Sequence, residues 1–120
     1  MLLLEAIARE EGFYVEGSRP QRNNNPGDLE YHGWEGLYNG KKGSDPRFSV
    51  FASSQDGFKA LQHLFTFPMY FGKTLEAAFN EYAPPTENQT NQYLTHICMW
   101  TGLCRSAIIT LDLLQLPTEI

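Results

Sequence analysis

Cysteine is scarce in this chain, which has only Cys98 and Cys104, and the three histidines, His32, His63 and His96, lie far apart. Two cysteines so close in sequence allow one short-loop disulfide and no disulfide framework, so they are read as buried free thiols. With no Cys-x-x-Cys and no grouped histidines, no metal-ligand motif is present, and neither metal nor cofactor is expected. Basic charge is also short. Nine Lys and Arg stand against fourteen Asp and Glu, giving a net charge of −5 and a pI near 5.1. That balance argues against a nucleic-acid partner held through a basic surface. It does not bar a partly anionic polymer, because physiological salt screens charges that lie well apart. No apolar run is long enough for a bilayer span, so no integral membrane segment is expected. Met1-Leu2-Leu3-Leu4 lacks a basic lead and meets Glu5 before an apolar core develops, so it is not read as a signal peptide. Repeats and low-complexity tracts are missing as well.

What is present suits one globular domain over residues 1–120, expected to be a monomer. The chain is 42% hydrophobic and 13% aromatic, enough for a core. Leu2 to Glu11 predicts a helix in which Leu3, Leu4, Ile7 and Ala8 form an apolar stripe, ended by Gly12. Glu11 lies one turn beyond Ile7 and two beyond Leu4, and Glu10 follows Leu3 and Ile7 with nearly equal merit, so a carboxyl projects from the end of a buried stripe beside Phe13 and Tyr14. Partial desolvation there would raise its pKa, as a general acid requires, whereas in water the two would be a plain charged pair at a helix end. Residues 17–51, rich in Gly, Asn, Pro and aromatics, predict an irregular β-lobe. Short strands are expected near Leu29–Trp34 and Phe48–Phe51, joined by the turn-rich segment from Asn39 to Pro46. Tyr31, Trp34, Tyr38 and His32 offer flat faces for sugar rings, or a mini-core for the lobe.

Residues 53–116 predict a helical lobe. Ser53 or Ser54 caps a helix with Phe58, Leu61, Leu64 and Phe65 on one face, and Thr74 caps another with Leu75, Ala78, Phe79 and Tyr82. Pro84 and Pro85 stop the chain. Thr86-Glu87-Asn88-Gln89 has the form of a capping box before a helix carrying Tyr93, Ile97 and Trp100, which Gly102 ends. A last helix is expected from about Ser106 to Leu114. The fold class is therefore mainly α with a small irregular β-lobe, an α+β arrangement.

The stretch Arg22-Asn23-Asn24-Asn25-Pro26-Gly27-Asp28-Leu29 is neither helix interior nor central strand, because Pro26 lacks a donor and asparagine side chains compete for backbone hydrogen bonds. It reads as a turn with an amide-rich surface. Such a surface suits a polyhydroxylated or N-acetylated ligand, and equally an ordinary turn.

Taken in order, Glu11-Gly12-Phe13, Gly17-Ser18, Arg22 to Leu29, Phe48-Ser-Val-Phe51, Gly57-Phe-Lys-Ala-Leu61, Thr74-Leu75 and Tyr82-Ala-Pro-Pro-Thr-Glu-Asn88 with Tyr93 resemble the small lysozyme-like, lytic-transglycosylase-type domains of bacteria and their phages. That resemblance covers nearly the whole chain. It implies a lysozyme-like fold with the first helix, 1–12, bearing the acid. It also implies peptidoglycan glycan strands as partner and substrate, action on the cell wall (periplasmic, secreted or phage-associated, as in an endolysin), and cleavage of the β-1,4 bond between N-acetylmuramic acid and N-acetylglucosamine. Residue by residue, it places the acid on Glu11, the residue directly before glycine. Matching the Glu-Ser-Gly-Phe run of the soluble lytic transglycosylases selects Glu10 instead. Asn25, with Asn23 and Asn24, matches an amide-rich turn lining the cleft, and Tyr82 matches a tyrosine on the opposite wall. Asn88 and Tyr93 follow it in the pattern, and Tyr31 is a further substrate-binding candidate.

Glycosidases ordinarily need two carboxyls, and the β-lobe offers only Asp28 and Glu30 as a second. A lytic transglycosylase needs one, since the substrate's N-acetyl group stabilises the oxocarbenium ion and a 1,6-anhydro product forms. A hydrolytic muramidase would use Asp28 or a water. A non-catalytic glycan-binding or phage-structural domain would need neither acid.

Overall fold

The computed structural model describes residues 1–85 and 89–118. Helix α1 spans Leu3–Glu11 and buries Leu3, Leu4, Ile7 and Ala8, the stripe expected from their spacing, together with Ala6. Glu5 accepts a hydrogen bond from the Leu2 N–H at 3.0 Å, satisfying one of the orphan donors at the helix start. Gly12, at φ 88°, supplies the left-handed turn that stops α1 directly after Glu11.

A short helix α2, Arg19–Arg22, follows; it was not expected within the irregular lobe. Ser18 caps it, accepting from the Gln21 N–H, and Pro20 sits in its first turn where a missing N–H costs nothing. The β-lobe is smaller than expected and differently paired. Strands β1 (Gly40–Lys42) and β2 (Ser49–Phe51) form a two-stranded antiparallel sheet with Gly40 opposite Phe51. Leu29–Trp34 is not a strand beyond one bridge between Glu30 and Phe48, and Trp34–Tyr38 is a 3₁₀ turn. Two causes are visible: Gly33 takes φ 108°, which leaves the extended region, and the Glu35 carboxylate caps the turn. Part of the segment read as a connecting turn is thus the partner strand itself.

Three longer helices complete the molecule: α3 (Ser54–Leu64), α4 (Leu75–Tyr82) and α5 (Thr90–Thr101). Ser53 and Thr74 cap α3 and α4 through bonds from the Asp56 and Ala77 N–H groups, both 3.1 Å, and Gly102 ends α5 at φ 76°. The Thr86–Gln89 capping box falls largely outside the described residues. The expected last helix is also different: residues 107–109 run extended along residues 72–76 and only Leu111–Leu114 turns, in a 3₁₀ conformation. Adjacent β-branched Ile108, Ile109 and Thr110 favour that extended course.

The described residues form a compact, helix-rich arrangement with one small sheet. α1 packs chiefly on α5, and the core runs from Leu4 and Ile7 through Phe58, Leu61 and Phe65 to Phe79 and Ile97. No helix among the described residues is long and apolar enough to cross a membrane.

Candidate active site

The asparagine turn joins the lobes from inside. Asn25 is fully buried; its amide donates to the Leu29 and Ser49 carbonyls, both at 3.0 Å, and its Oδ1 accepts from the Leu29 N–H at 2.9 Å. Asn24, at φ 51°, donates to the Phe51 carbonyl and accepts from the Ser54 hydroxyl, which ties β2 to the start of α3. The Asn23 carbonyl accepts from the Phe51 N–H at 2.9 Å. None of the three lines the cleft described below. Where a substrate-facing amide surface was expected, the side-chain amides of Asn24 and Asn25 are taken up by the backbone of Leu29, Ser49 and Phe51 and by the Ser54 hydroxyl. Four residues just beyond them, Gly27, Asp28, Leu29 and Glu30, do form a wall of that cleft.

The cleft has a volume of about 780 Å³ and runs between the β-lobe and the helical lobe. Glu11, Leu64, Tyr70, Glu81, Tyr82, Ala83 and Pro84 come from the helical side, and Arg19, His32, Trp34, Arg47 and Phe48 join Gly27–Glu30 on the other. At Glu11 the end of α1 meets α5: the Tyr93 hydroxyl donates to Oε2 at 2.6 Å. Burial of the Glu11 carboxyl raises its pKa to about 7, outweighing the lowering effect of the Tyr93 hydrogen bond, and the negative charges of Asp28 and Glu10 push the same way as burial. Glu11 therefore keeps its proton near neutrality while lining an open cleft. Tyr93 is buried and Tyr82 half-buried, and desolvation pushes the ionisation of both phenols well above its ordinary range, so both stay hydrogen-bond donors.

Asp28 lines the opposite wall, held at φ 49°. Arg19 grips it in a two-pronged pair through one guanidinium edge, Nε to Oδ1 at 3.1 Å and Nη2 to Oδ2 at 2.5 Å. The bond to Asp28 raises the Arg19 pKa further. Arg47 pairs with Glu30 at 2.6 Å, and both guanidiniums lie over the Phe48 ring. Tyr82 bridges the lobes, its hydroxyl donating to the Gly27 carbonyl at 2.8 Å.

Glu10, the alternative acid, does not line the cleft. It pairs with His96 at 2.7 Å, and His96 stacks on Trp100, over which Arg9 lies. Tyr31 is also away from the cleft, with Lys42 5.9 Å over its ring. Asn88 falls outside the described residues. Sequence reasoning did not single out Glu35, Arg47, Tyr70 or Glu81. Their positions depend on contacts between segments distant in the chain, and no local pattern marks them. Among the described residues, no three His, Cys, Asp or Glu converge as a metal ion would require.

No family model, curated protein or solved structure matches this chain. The functional reading therefore stands on the cleft and its residues.

Proposed function

We propose that this chain has a lysozyme-like fold and cleaves the β-1,4 bond between N-acetylmuramic acid and N-acetylglucosamine in peptidoglycan, as a lytic transglycosylase with Glu11 as the acid. The observation that carries the reading is a carboxyl with a pKa of about 7, on the wall of a cleft large enough for several sugar rings and held by a buried phenol. A proton retained at neutral pH is what departure of a glycosidic oxygen needs.

Glu11 protonates the bridging oxygen, and the C1–O bond breaks. The carbonyl oxygen of the substrate's own N-acetyl group stabilises the positive charge at C1. The Glu11 carboxylate then takes the proton from the muramic C6 hydroxyl as that oxygen bonds to C1, leaving a 1,6-anhydro end and Glu11 protonated again. Water is neither consumed nor released. Asp28 supports this route over a double displacement, because a carboxylate with both oxygens held by the Arg19 guanidinium is a poor nucleophile. Hydrolysis is the second reading, favoured by the position of Asp28 on the wall opposite Glu11.

The test is mass spectrometry of soluble products from purified peptidoglycan treated with the wild-type protein and with Glu11→Gln. Muropeptides lighter than the reducing form by one water, absent with the variant, are expected. Reducing ends would transfer the assignment to a hydrolytic muramidase. Release no greater than the variant's background would leave a glycan-binding or structural role and remove Glu11 as the acid.

A further inference from the structure

Behind the wall of the cleft lies a buried acid that the chemistry proposed above does not use. Glu35 has no exposed surface. Its Oε1 accepts from the backbone N–H groups of His32 and Gly33 at 2.7 and 2.8 Å, and its Oε2 lies 3.3 Å from His32 Nδ1. The His32 side chain is 61% exposed and lines the cleft. An acceptor facing Nδ1 places the ring proton there, so the neutral imidazole has Nε2 as an acceptor. Both the backbone and the ring of His32 are thus fixed by one side chain.

Trp34 continues the same wall and is backed by its own ring cluster. Its ring lies 5.4 Å from His63, 5.3 Å from Phe67 and 6.5 Å from Tyr38, measured between centroids. A fixed hydrogen-bond acceptor beside a braced, partly exposed indole is suited to a pyranose: the ring face lies on the aromatic surface and a hydroxyl reaches the acceptor. A buried carboxylate that only stabilised the turn would need no more than the two backbone bonds. The third contact, to an exposed cleft-lining ring, is what points to a ligand.

We infer that His32 contacts the glycan, accepting a sugar hydroxyl at Nε2, and that Glu35 is the positioning residue that orients it. This assignment rests on the reading of the cleft as a glycan site and adds to it a binding position on the β-lobe wall, set by the 32–35 loop.

The experiment has two arms. Nitrogen NMR of the imidazoles in Glu11→Gln, which cannot turn over, follows His32 as soluble N-acetylglucosamine–N-acetylmuramic acid oligomers are added. The free protein should show the proton on Nδ1, and the Nε2 resonance should move on titration. In Glu35→Gln, whose side-chain amide can donate towards Nδ1, the proton should shift to Nε2 while the melting temperature reports an intact fold. The second arm measures kinetics on soluble glycan strands with His32→Ala. Loss of one hydrogen bond is expected to raise KM roughly three- to tenfold with kcat little changed. An unmoved Nε2 signal while cleft resonances respond, or an unchanged KM in an active variant, overturns the assignment; so does a fall in kcat alone, which would put His32 in the chemistry. If wild type does not cleave but Nε2 still responds, the transglycosylase reading fails and the His32 assignment stands.

Discussion

With Glu11 as the proposed acid and its pKa pushed up to about 7, turnover is expected to decline as pH rises past that point. Burial raises that pKa and Tyr93 opposes it. Its hydroxyl stabilises the Glu11 carboxylate, so Tyr93→Phe should move the alkaline limb of kcat/KM to higher pH. A limb that stays or moves lower would remove Tyr93 from the control of Glu11. The same burial has a consequence for stability. The folded-state pKa of Glu11 is raised above the unfolded value near 4.5, so the folded state holds the extra proton between about pH 4.5 and 7. Stability from this group therefore falls as pH rises through that window and stays low above it, a loss on the order of 3 kcal/mol. Glu11→Gln should accordingly melt higher than wild type at pH 8 and draw level near pH 4. Thermal unfolding at the two pH values checks it, and a variant no more stable at pH 8 would mean that the carboxyl is not desolvated in solution.

At the scale of elements, the asparagine turn is a knot whose side chains replace missing secondary structure. Leu29, Ser49 and Phe51 all direct backbone groups towards Asn23, Asn24 or Asn25. Helix α3 closes over this knot at Gly57, where an added Cβ would stand 2.1 Å from the Asn24 carbonyl oxygen and 2.6 Å from Pro26 Cδ. In an ordinary helix interior alanine is favoured over glycine by about 1 kcal/mol. Here the sign reverses: Gly57→Ala should destabilise by roughly 1–3 kcal/mol, because the backbone atom it meets cannot rotate aside. Urea denaturation measures the difference, and a neutral or stabilising result would show that the turn can move off α3. This packing also accounts for the Asn-Asn-Asn-Pro stretch lying behind the cleft wall while its continuation, Gly27 to Glu30, forms that wall.

For the whole molecule, the cleft is bounded by two lobes, and the Tyr82–Gly27 hydrogen bond that joins them spans 55 positions of the chain. Tyr82→Phe leaves the Gly27 carbonyl without that donor in a crowded site where Leu61 and Leu29 also approach. A cost of about 1–3 kcal/mol is expected for a buried acceptor left unpaired. It should appear as a lowered urea midpoint together with faster amide exchange across 27–30 than across α1. Exchange that rises equally everywhere would place the effect in the general core and not in the joint between lobes.

The helices were legible in the sequence because their signals are local. Apolar residues recur at helical spacing in α1, α3 and α4, Ser53 and Thr74 cap, and Gly12 and Gly102 terminate, each within a few residues of what it controls. The mainly helical class with a small β-lobe follows from the same signals. The β-lobe was less legible, since the pairing of Gly40–Lys42 with Ser49–Phe51 and the turn at Trp34 depend on Gly33 and on a buried Glu35 that no period marks. Ile108–Thr110 departed from the expected helix for a related reason: extended β-branched residues found partners along Gly72–Glu76. Spacing put both Glu10 and Glu11 at the end of a buried stripe and could not separate them, because an apolar stripe about 100° wide accommodates two neighbours that are about 100° apart at its two edges. Only the packing of α1 on α5 directed Glu10 to His96 and Glu11 to Tyr93 and the cleft. Local chemistry determined which elements form and where they stop. The tertiary structure decided which carboxyl loses its water, since desolvation belongs to the surroundings that distant segments build around a residue.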